Sequence, residues 1–459
     1  MINYFNFKKL NNDYLLTNDL GRYMFASKAE LTSLIKDKVN YCSQFGKQAC
    51  DNFFAYDGSV QSFSKEMIPY MRDSKSYLFS ATSLHIFVIT NSCNMSCMYC
   101  QAQNGNSIPD GMMSAETAKK AVDIALSSPD KCLSFEFQGG EPLANFETIK
   151  YIVEYTESVN HNKNVQFSLV SNLTLLTDEI AQFIKEHNIN VSTSVDGNKT
   201  VHNSNRTYRN GKGSFDDVIA GINILKKYDI VYGAIQTTTK NSLKHPEEIV
   251  DEYVNLDLES IFIRNLTPLG CANKNWEEIG YSTEEFLEFY EECFNRIIEI
   301  NKKGRYLKEG HASIFLSKIL NGVSVNYMEL RSPCGAGLGQ IAYYYDGSVY
   351  TCDEGRMIAE MGDDSFKLGT VDNSYEELIN SNNCKAACIS SILESLPNCS
   401  DCVYNPYCGT CPVVNFAISN NIYNREPRDY KCKIYSGMLD IIFNALRDEE
   451  KKKILLSWI

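Results

Sequence analysis

Three cysteines fall within one short stretch, Cys93-Asn-Met-Ser-Cys97-Met-Tyr-Cys100. Thiolates are the usual ligands of iron–sulfur clusters, and a four-iron cube takes four of them. Three on one loop leave one iron open to another molecule. Zinc is the rival occupant, but it prefers four closed ligands in paired spacings, and no further Cys or His stands nearby. A second set runs through the last third of the chain: Cys334, Cys352, then Cys399-x2-Cys402-x5-Cys408-x2-Cys411, then Cys432. CxxC pairs suit zinc ribbons as well as clusters, yet these seven do not partition into four-ligand zinc sites. The other seven of the seventeen cysteines (Cys42, Cys50, Cys132, Cys271, Cys293, Cys384, Cys388) follow no ligand spacing and read mostly as small core residues.

The elements that must position these groups follow from periodicity. Strand-like runs at Leu84–Thr90, Leu133–Gln138, Gln166–Ser171, Asn190–Asp196, Val231–Thr237 and Ser260–Arg264 alternate with amphipathic helices such as Ser114–Leu126, Asp178–Glu186 and Phe215–Lys227. Ser114 and Ser214 are the helix-start signals. Six strand–helix units with right-handed crossovers make an α/β parallel sheet, here a partial (β/α)6 barrel of the TIM type rather than a closed one of eight. Its functional edge is the C-terminal end of the strands. The first cysteine loop directly follows the first of these strands. Ahead of the barrel, Tyr4–Phe7, Tyr14–Thr17 and Tyr23–Ala26 read as three short strands before a helix near Lys28–Val39. The expected divisions are a small α/β unit at 1–78, the barrel at 79–271, a helical connector at 272–330 built on Thr283–Ile300, and a cysteine-rich domain at 331–459 that folds around metal.

Bulk properties narrow the function. A chain of 459 residues, 44% apolar, is a soluble globular protein of two or three domains. No apolar run reaches membrane-span length, and Met1–Lys9 lacks a signal-peptide layout, so a cytoplasmic address is expected. Cysteines in that compartment serve metal or redox chemistry rather than disulfides. A net charge of −13 argues against a broad basic nucleic-acid surface.

The loop resembles the signature of the radical S-adenosylmethionine (SAM) superfamily, CxxxCxxC after the first barrel strand. Further motifs agree in order. Phe137-Gln138-Gly139-Gly140-Glu141-Pro142 looks like the family's GGEP element, whose carboxylate can accept bonds from the SAM ammonium. Ser171-Asn172 ends the third strand where the family places ribose contacts. Ser194-Val195-Asp196-Gly197 looks like its S-x-D-G element, and His202 with Arg206 matches an H-x-x-x-R pattern whose arginine would meet the SAM carboxylate. The resemblance implies SAM contacts at Tyr99, Gly139, Gly140, Glu141, Ser171, Asn172, Ser194, Asp196 and Arg206, with a [4Fe–4S] cluster on Cys93, Cys97 and Cys100.

The second cysteine set resembles the SPASM domain of peptide and protein maturases, which carries two auxiliary [4Fe–4S] clusters. The resemblance assigns Cys399, Cys402, Cys408 and Cys432 to one, and Cys334, Cys352 and Cys411 to the other. Two departures stand out. The last interval of the four-cysteine run is two residues instead of three, and Gly339-Gln340 occupies the place where some relatives supply a fourth ligand, so that this cluster either lacks a fourth protein ligand or borrows Cys384 or Cys388. Asp353, directly after Cys352, stands where an acid serves as general base in SPASM enzymes that oxidise a side chain.

Over nearly the whole chain, strings such as Leu84-His85-Ile86-Phe87-Val88-Ile89-Thr90 and Ile261-Phe262-Ile263-Arg264 resemble the radical SAM maturases of the His-Xaa-Ser peptide systems. That likeness implies an enzyme that cross-links a ribosomally synthesised precursor peptide, with a cyclophane-type carbon–carbon bond favoured. Thioether formation, epimerisation, oxidation of Ser or Cys to formylglycine, and a non-enzymatic electron-transfer or zinc-binding module are the alternatives. The implied partners are the leader and core of the peptide and a low-potential reductant such as flavodoxin or ferredoxin, with no nucleic acid and no membrane. The 1–78 unit, which resembles winged-helix recognition elements in coarse order only, would bind the leader by strand addition.

Overall fold

A computed structural model of the chain describes residues 1–102, 111–322, 326–423 and 430–459. At the N-terminus, β1 (Asn6–Leu10), β2 (Asp13–Thr17) and β3 (Tyr23–Ala26) form an antiparallel meander. The first strand begins two residues later than its apolar pattern suggests. Ser27 caps the helix Lys28–Ile35 in a reciprocal capping box with Glu30. Helices Gln44–Asp51 and Val60–Ser74, capped by Ser43 and Ser59, complete the unit.

The barrel strands are β4 (Leu84–Thr90), β5 (Cys132–Gly139), β6 (Asn164–Val170), β7 (Asn190–Ser194), β8 (Tyr232–Thr237) and β9 (Ser260–Arg264). Each pairs in parallel with the next. The barrel stays open, as expected. Two extensions were not legible in the periodicity. A two-residue strand, β10 (Lys308–Glu309), adds in parallel to β9. On the other side β11 (Gln340–Tyr343) pairs in parallel with β4, followed by antiparallel β12 (Ser348–Tyr350) and β13 (Lys367–Thr370). The result is one sheet of ten strands, ordered β10-β9-β8-β7-β6-β5-β4-β11-β12-β13.

Alternation along the strands sends aromatic residues to one face. Phe87, Phe135 and Phe137 are fully buried there under helices Ala115–Ser127 and Phe146–Val159. Ser114 caps the first of those helices through Thr117 N–H at 3.1 Å. Ser214 starts the helix Phe215–Lys227, but its hydroxyl does not cap: it donates to Arg206 O at 2.8 Å. Helix Thr283–Lys302 packs along the barrel's far side, and its Ser282 cap forms a second capping box with Glu285. Among the described residues no helix is long and apolar enough to cross a membrane.

Phe87 joins the barrel to its extension, with its ring centroid 5.0 Å from Phe135 and 5.2 Å from Tyr343 of β11. Phe87→Ala is expected to cost about 3–5 kcal/mol in denaturant unfolding, and to loosen the C-terminal strands as well as the barrel in hydrogen exchange.

Candidate active site

Between β4 and the next helix, Cys93–Cys100 form neither helix nor strand. Buried amides still need partners, and neighbouring segments provide them. Ser96 N–H donates to Thr207 O at 2.7 Å, Met98 N–H to Asn205 O at 3.2 Å, and Cys271 N–H to Cys100 O at 2.8 Å. Asn275 Nδ2 donates to Met98 O at 2.8 Å. The three thiols feel one another's charge. Burial pushes the Cys93 thiol up to about 12, with Cys97 and Cys100 adding to the rise. Burial likewise lifts Cys97 to about 12, and raises Cys100. Such thiols keep their protons until a metal displaces them. The donor set therefore fits a thiolate-held cluster.

The glycines of the 139–142 turn serve this loop directly. A Cβ on Gly139 would lie 2.2 Å from Thr90 O, and one on Gly140 would lie 2.1 Å from Ser92 O. Only glycine lets the end of β5 press so closely on the root of the loop. Glu141 is 1% exposed. Its carboxylate accepts from Ser171 Oγ at 2.6 Å, Asn172 N–H at 2.8 Å and Leu143 N–H at 3.1 Å, while burial lifts it to about 6. It braces the ends of β5 and β6, which leaves little of its acceptor capacity for a ligand. Asn172 reaches back to the loop, donating from Nδ2 to Asn94 Oδ1 at 3.0 Å.

Asp196 is the node on the other side. It is fully buried and accepts from Tyr99 OH at 2.6 Å, Asn205 Nδ2 at 3.2 Å, Arg206 Nε at 3.3 Å and Thr237 N–H at 3.3 Å. The Arg206 guanidinium also lies over the Tyr99 ring, 5.2 Å from its centroid. Burial disfavours the Arg206 charge, but Tyr99, Asp196 and Cys97 more than offset it. Ser194 closes β7 just before this node. His202 is internal: it is buried, it meets Ser214 Oγ at 3.1 Å through Nε2, and burial holds it down at about 4.

The later cysteines form two groups. Cys334, Cys352 and Cys411 are buried in one apolar cluster with Leu269, Ile358 and Val413, and the Cys334 and Cys411 charges each push up the Cys352 thiol. Cys352 Sγ accepts from Gly355 N–H at 3.3 Å at the start of helix Asp353–Glu360. Cys399, Cys402 and Cys432 surround Cys408, and together with burial they lift its thiol. Cys384 and Cys388 share the helix Asn382–Ser390. Cys384 packs against Gly337, and Cys388 sits near Arg331, which also feels Cys334.

Asp353 directly follows Cys352 and opens the helix Asp353–Glu360. Arg356, 1% exposed, clamps it with Nε and Nη2 both 2.8 Å from Oδ1, and the Arg356 charge reaches the Cys100 thiol. Asp353 in turn faces Glu136 of β5. Sequence spacing did not point to Arg356, nor to Cys271, whose thiol faces Cys97 and Cys100. An arginine three residues after an acid on a helix is commonplace, and Cys271 has no neighbouring cysteine in the chain.

The family model described as the Radical SAM superfamily matches residues 87–256. The chain is 36% identical over 268 residues to an uncharacterised protein of Methanocaldococcus jannaschii, covering 58% of this chain and 83% of that one. It is 29% identical over 339 residues to a cysteine-type anaerobic sulfatase-maturating enzyme of Clostridium novyi, covering 71% and 86%. Among solved structures it resembles anSMEcpe with bound AdoMet and Cp18Cys peptide, with 24% identity, 81% and 99% coverage and a TM-score of 0.67. It also resembles Streptococcus suis SuiB bound to precursor peptide SuiA, with 13% identity, 93% and 98% coverage and a TM-score of 0.55. The chain belongs to the radical SAM superfamily of enzymes, in the company of SPASM-type maturases. The superfamily's cofactors are SAM and a [4Fe–4S] cluster.

Removing the Arg206 charge leaves the Asp196 carboxylate buried without its cation. Arg206→Met is expected to cost about 3–5 kcal/mol in denaturant unfolding. Adding Asp196→Asn should recover a large part of that loss, and a double-mutant cycle measures how much.

Proposed function

We propose that this enzyme oxidatively cross-links side chains of a ribosomally synthesised precursor peptide, and that a carbon–carbon cyclophane is the favoured product. The observation that carries the reading is the line of groups from Cys100 through Arg356 and Asp353 to the buried cluster of Cys334, Cys352 and Cys411. A reaction that removes an electron and a proton from its substrate needs a destination for each, and this line offers both. In this reading Cys93, Cys97 and Cys100 hold the SAM-binding cluster. Cys399, Cys402, Cys408 and Cys432 hold one auxiliary [4Fe–4S] cluster, and Cys334, Cys352 and Cys411 hold the other.

Once SAM and the clusters are bound, the chemistry they supply is one-electron cleavage of the sulfonium, giving methionine and a 5′-deoxyadenosyl radical that takes a hydrogen atom from a substrate Cβ. The residues of the chain do the rest. Tyr99, Arg206 and Asp196 form one wall of the SAM site, and Gly139, Gly140, Glu141, Ser171, Asn172 and Ser194 form the strand-end floor. Arg206 offers its guanidinium to the SAM carboxylate while Asp196 fixes its orientation. Joining the substrate carbon to a neighbouring side chain releases one proton and one electron. Asp353 takes the proton, with Arg356 holding the carboxylate toward the first loop. The cysteine group behind it is the place for the electron released by coupling, and a low-potential reductant such as flavodoxin or ferredoxin supplies the electron that SAM cleavage consumes.

The 1–78 unit then serves leader binding, followed by the barrel at 79–271, the connector at 272–330 and the auxiliary-cluster domain at 331–459, in a cytoplasmic enzyme. SuiB, solved with its precursor peptide, aligns over 93% of this chain at a TM-score of 0.55, and anSMEcpe over 81% at 0.67. The kinship with sulfatase-maturating enzymes favours formylglycine formation as the second reading. Mass analysis after co-expression with the precursor separates the two: both remove hydrogens, but only a cross-link joins two residues in fragmentation.

Cys93→Ala should abolish reductive SAM cleavage. Metal analysis of the reconstituted wild type should give about twelve irons per chain for three cubes, and this variant about eight. Deoxyadenosine formed by the variant at the wild-type rate would remove the assignment. Asp353→Asn should keep SAM cleavage and slow cross-linking by about 10²–10⁴, read as deoxyadenosine formed per product.

A further inference from the structure

The two groups of later cysteines each have a lysine beside them, and the two lysines are balanced differently. Next to Cys334 and Cys411, Lys431 Nζ lies 2.8 Å from Glu329 Oε2, with both side chains largely buried. Arg264 adds a looser contact to the same carboxylate at 3.6 Å. The Lys431 charge is thus cancelled where it stands. Next to Cys408, Lys318 Nζ donates to the carbonyls of Leu330 and, at 2.9 Å, of Tyr407, the residue preceding that cysteine. Among the described residues Lys318 forms no ion pair. Lys318 and Cys408 line one cavity of about 900 Å³, open solvent at its mouth included, where the N-terminal unit meets the cysteine-rich region. Glu394 lines it too, but is taken by Lys75.

A cluster gains negative charge on reduction, and its potential follows local net charge. An unbalanced cation in a poorly screened place favours the reduced form. We propose that Lys318 is a potential-setting residue, whose uncompensated ammonium raises the potential of the cluster on Cys399, Cys402, Cys408 and Cys432 above that of the cluster on Cys334, Cys352 and Cys411. The electron taken from the peptide then comes to rest at the outer group, beside the open cavity. The inference rests on the auxiliary-cluster assignment made above.

The test is a potentiometric titration of the reconstituted holoenzyme, followed by electron paramagnetic resonance, with iron counted in the same samples. In Lys318→Met one auxiliary signal should need a potential lower by about 59 mV or more, a tenfold change in its reduced-to-oxidised ratio, while Lys318→Arg stays near the wild type. Lys318→Gln provides a second neutral variant. Unchanged midpoints in a neutral variant with full iron would overturn the proposal. So would loss of about four irons from both neutral variants but not from Lys318→Arg, which would make the lysine a prop for the loop. A wild type with only about four irons would instead defeat the auxiliary-cluster reading itself.

Discussion

A loop that carries three cysteines and forms neither helix nor strand cannot satisfy its own backbone. Its amides must be met from outside, and the architecture around Cys93–Cys100 follows from that need. Thr207 and Asn205 take up the amides of Ser96 and Met98. They can do so only because Asp196 ties their segment to Tyr99 of the loop and to Thr237 at the end of β8. From beneath, Gly139 and Gly140 let β5 support the loop at backbone contact distance. Strand ends, a buried carboxylate and two glycines thus compensate for structure the loop lacks.

The same economy explains which features could be read from the residues alone. The strand Ser260–Arg264 and the helices Asp178–Glu186 and Phe215–Lys227 match their periodic runs because each buries one face, while Leu84–Thr90, buried on both faces, stands out as an apolar run of seven residues. The cysteine triplet and the strand-end motifs stood out because their residue types are costly to place without purpose. β10 has only two residues, too few for any period. β11, Gln340–Tyr343, is buried on both faces and does not alternate. Glu141 as an internal brace, Ser214 as a prop for the Arg206 carbonyl, and Lys318 turned to two carbonyls are decided by long-range partners. A sequence window does not contain such partners.

The interior between the first loop and the Cys352 group is unusually rich in charge. Asp353, Glu136, Glu354 and Glu329 face Arg356, Arg264 and Lys431 across a small volume. Lys431 and Arg264 hold Glu329 at about 2 against its burial. At Glu354 and Glu136, burial and neighbouring acids outweigh the pull of Arg264 and raise the carboxyl. Charge in this region is placed residue by residue.

The pairing of β4 with β11 has a further consequence. Cys93 follows the end of one strand, and Cys352 follows the hairpin begun by the other, so a single ladder of backbone hydrogen bonds spans both. Adjacent strands in such a ladder stand about 4.8 Å apart, a spacing that side-chain substitutions barely alter. The sheet therefore works as a ruler: the separation of the two cysteine-bearing regions is fixed by main-chain geometry, and the C-terminal region cannot swing away from the barrel without breaking the sheet.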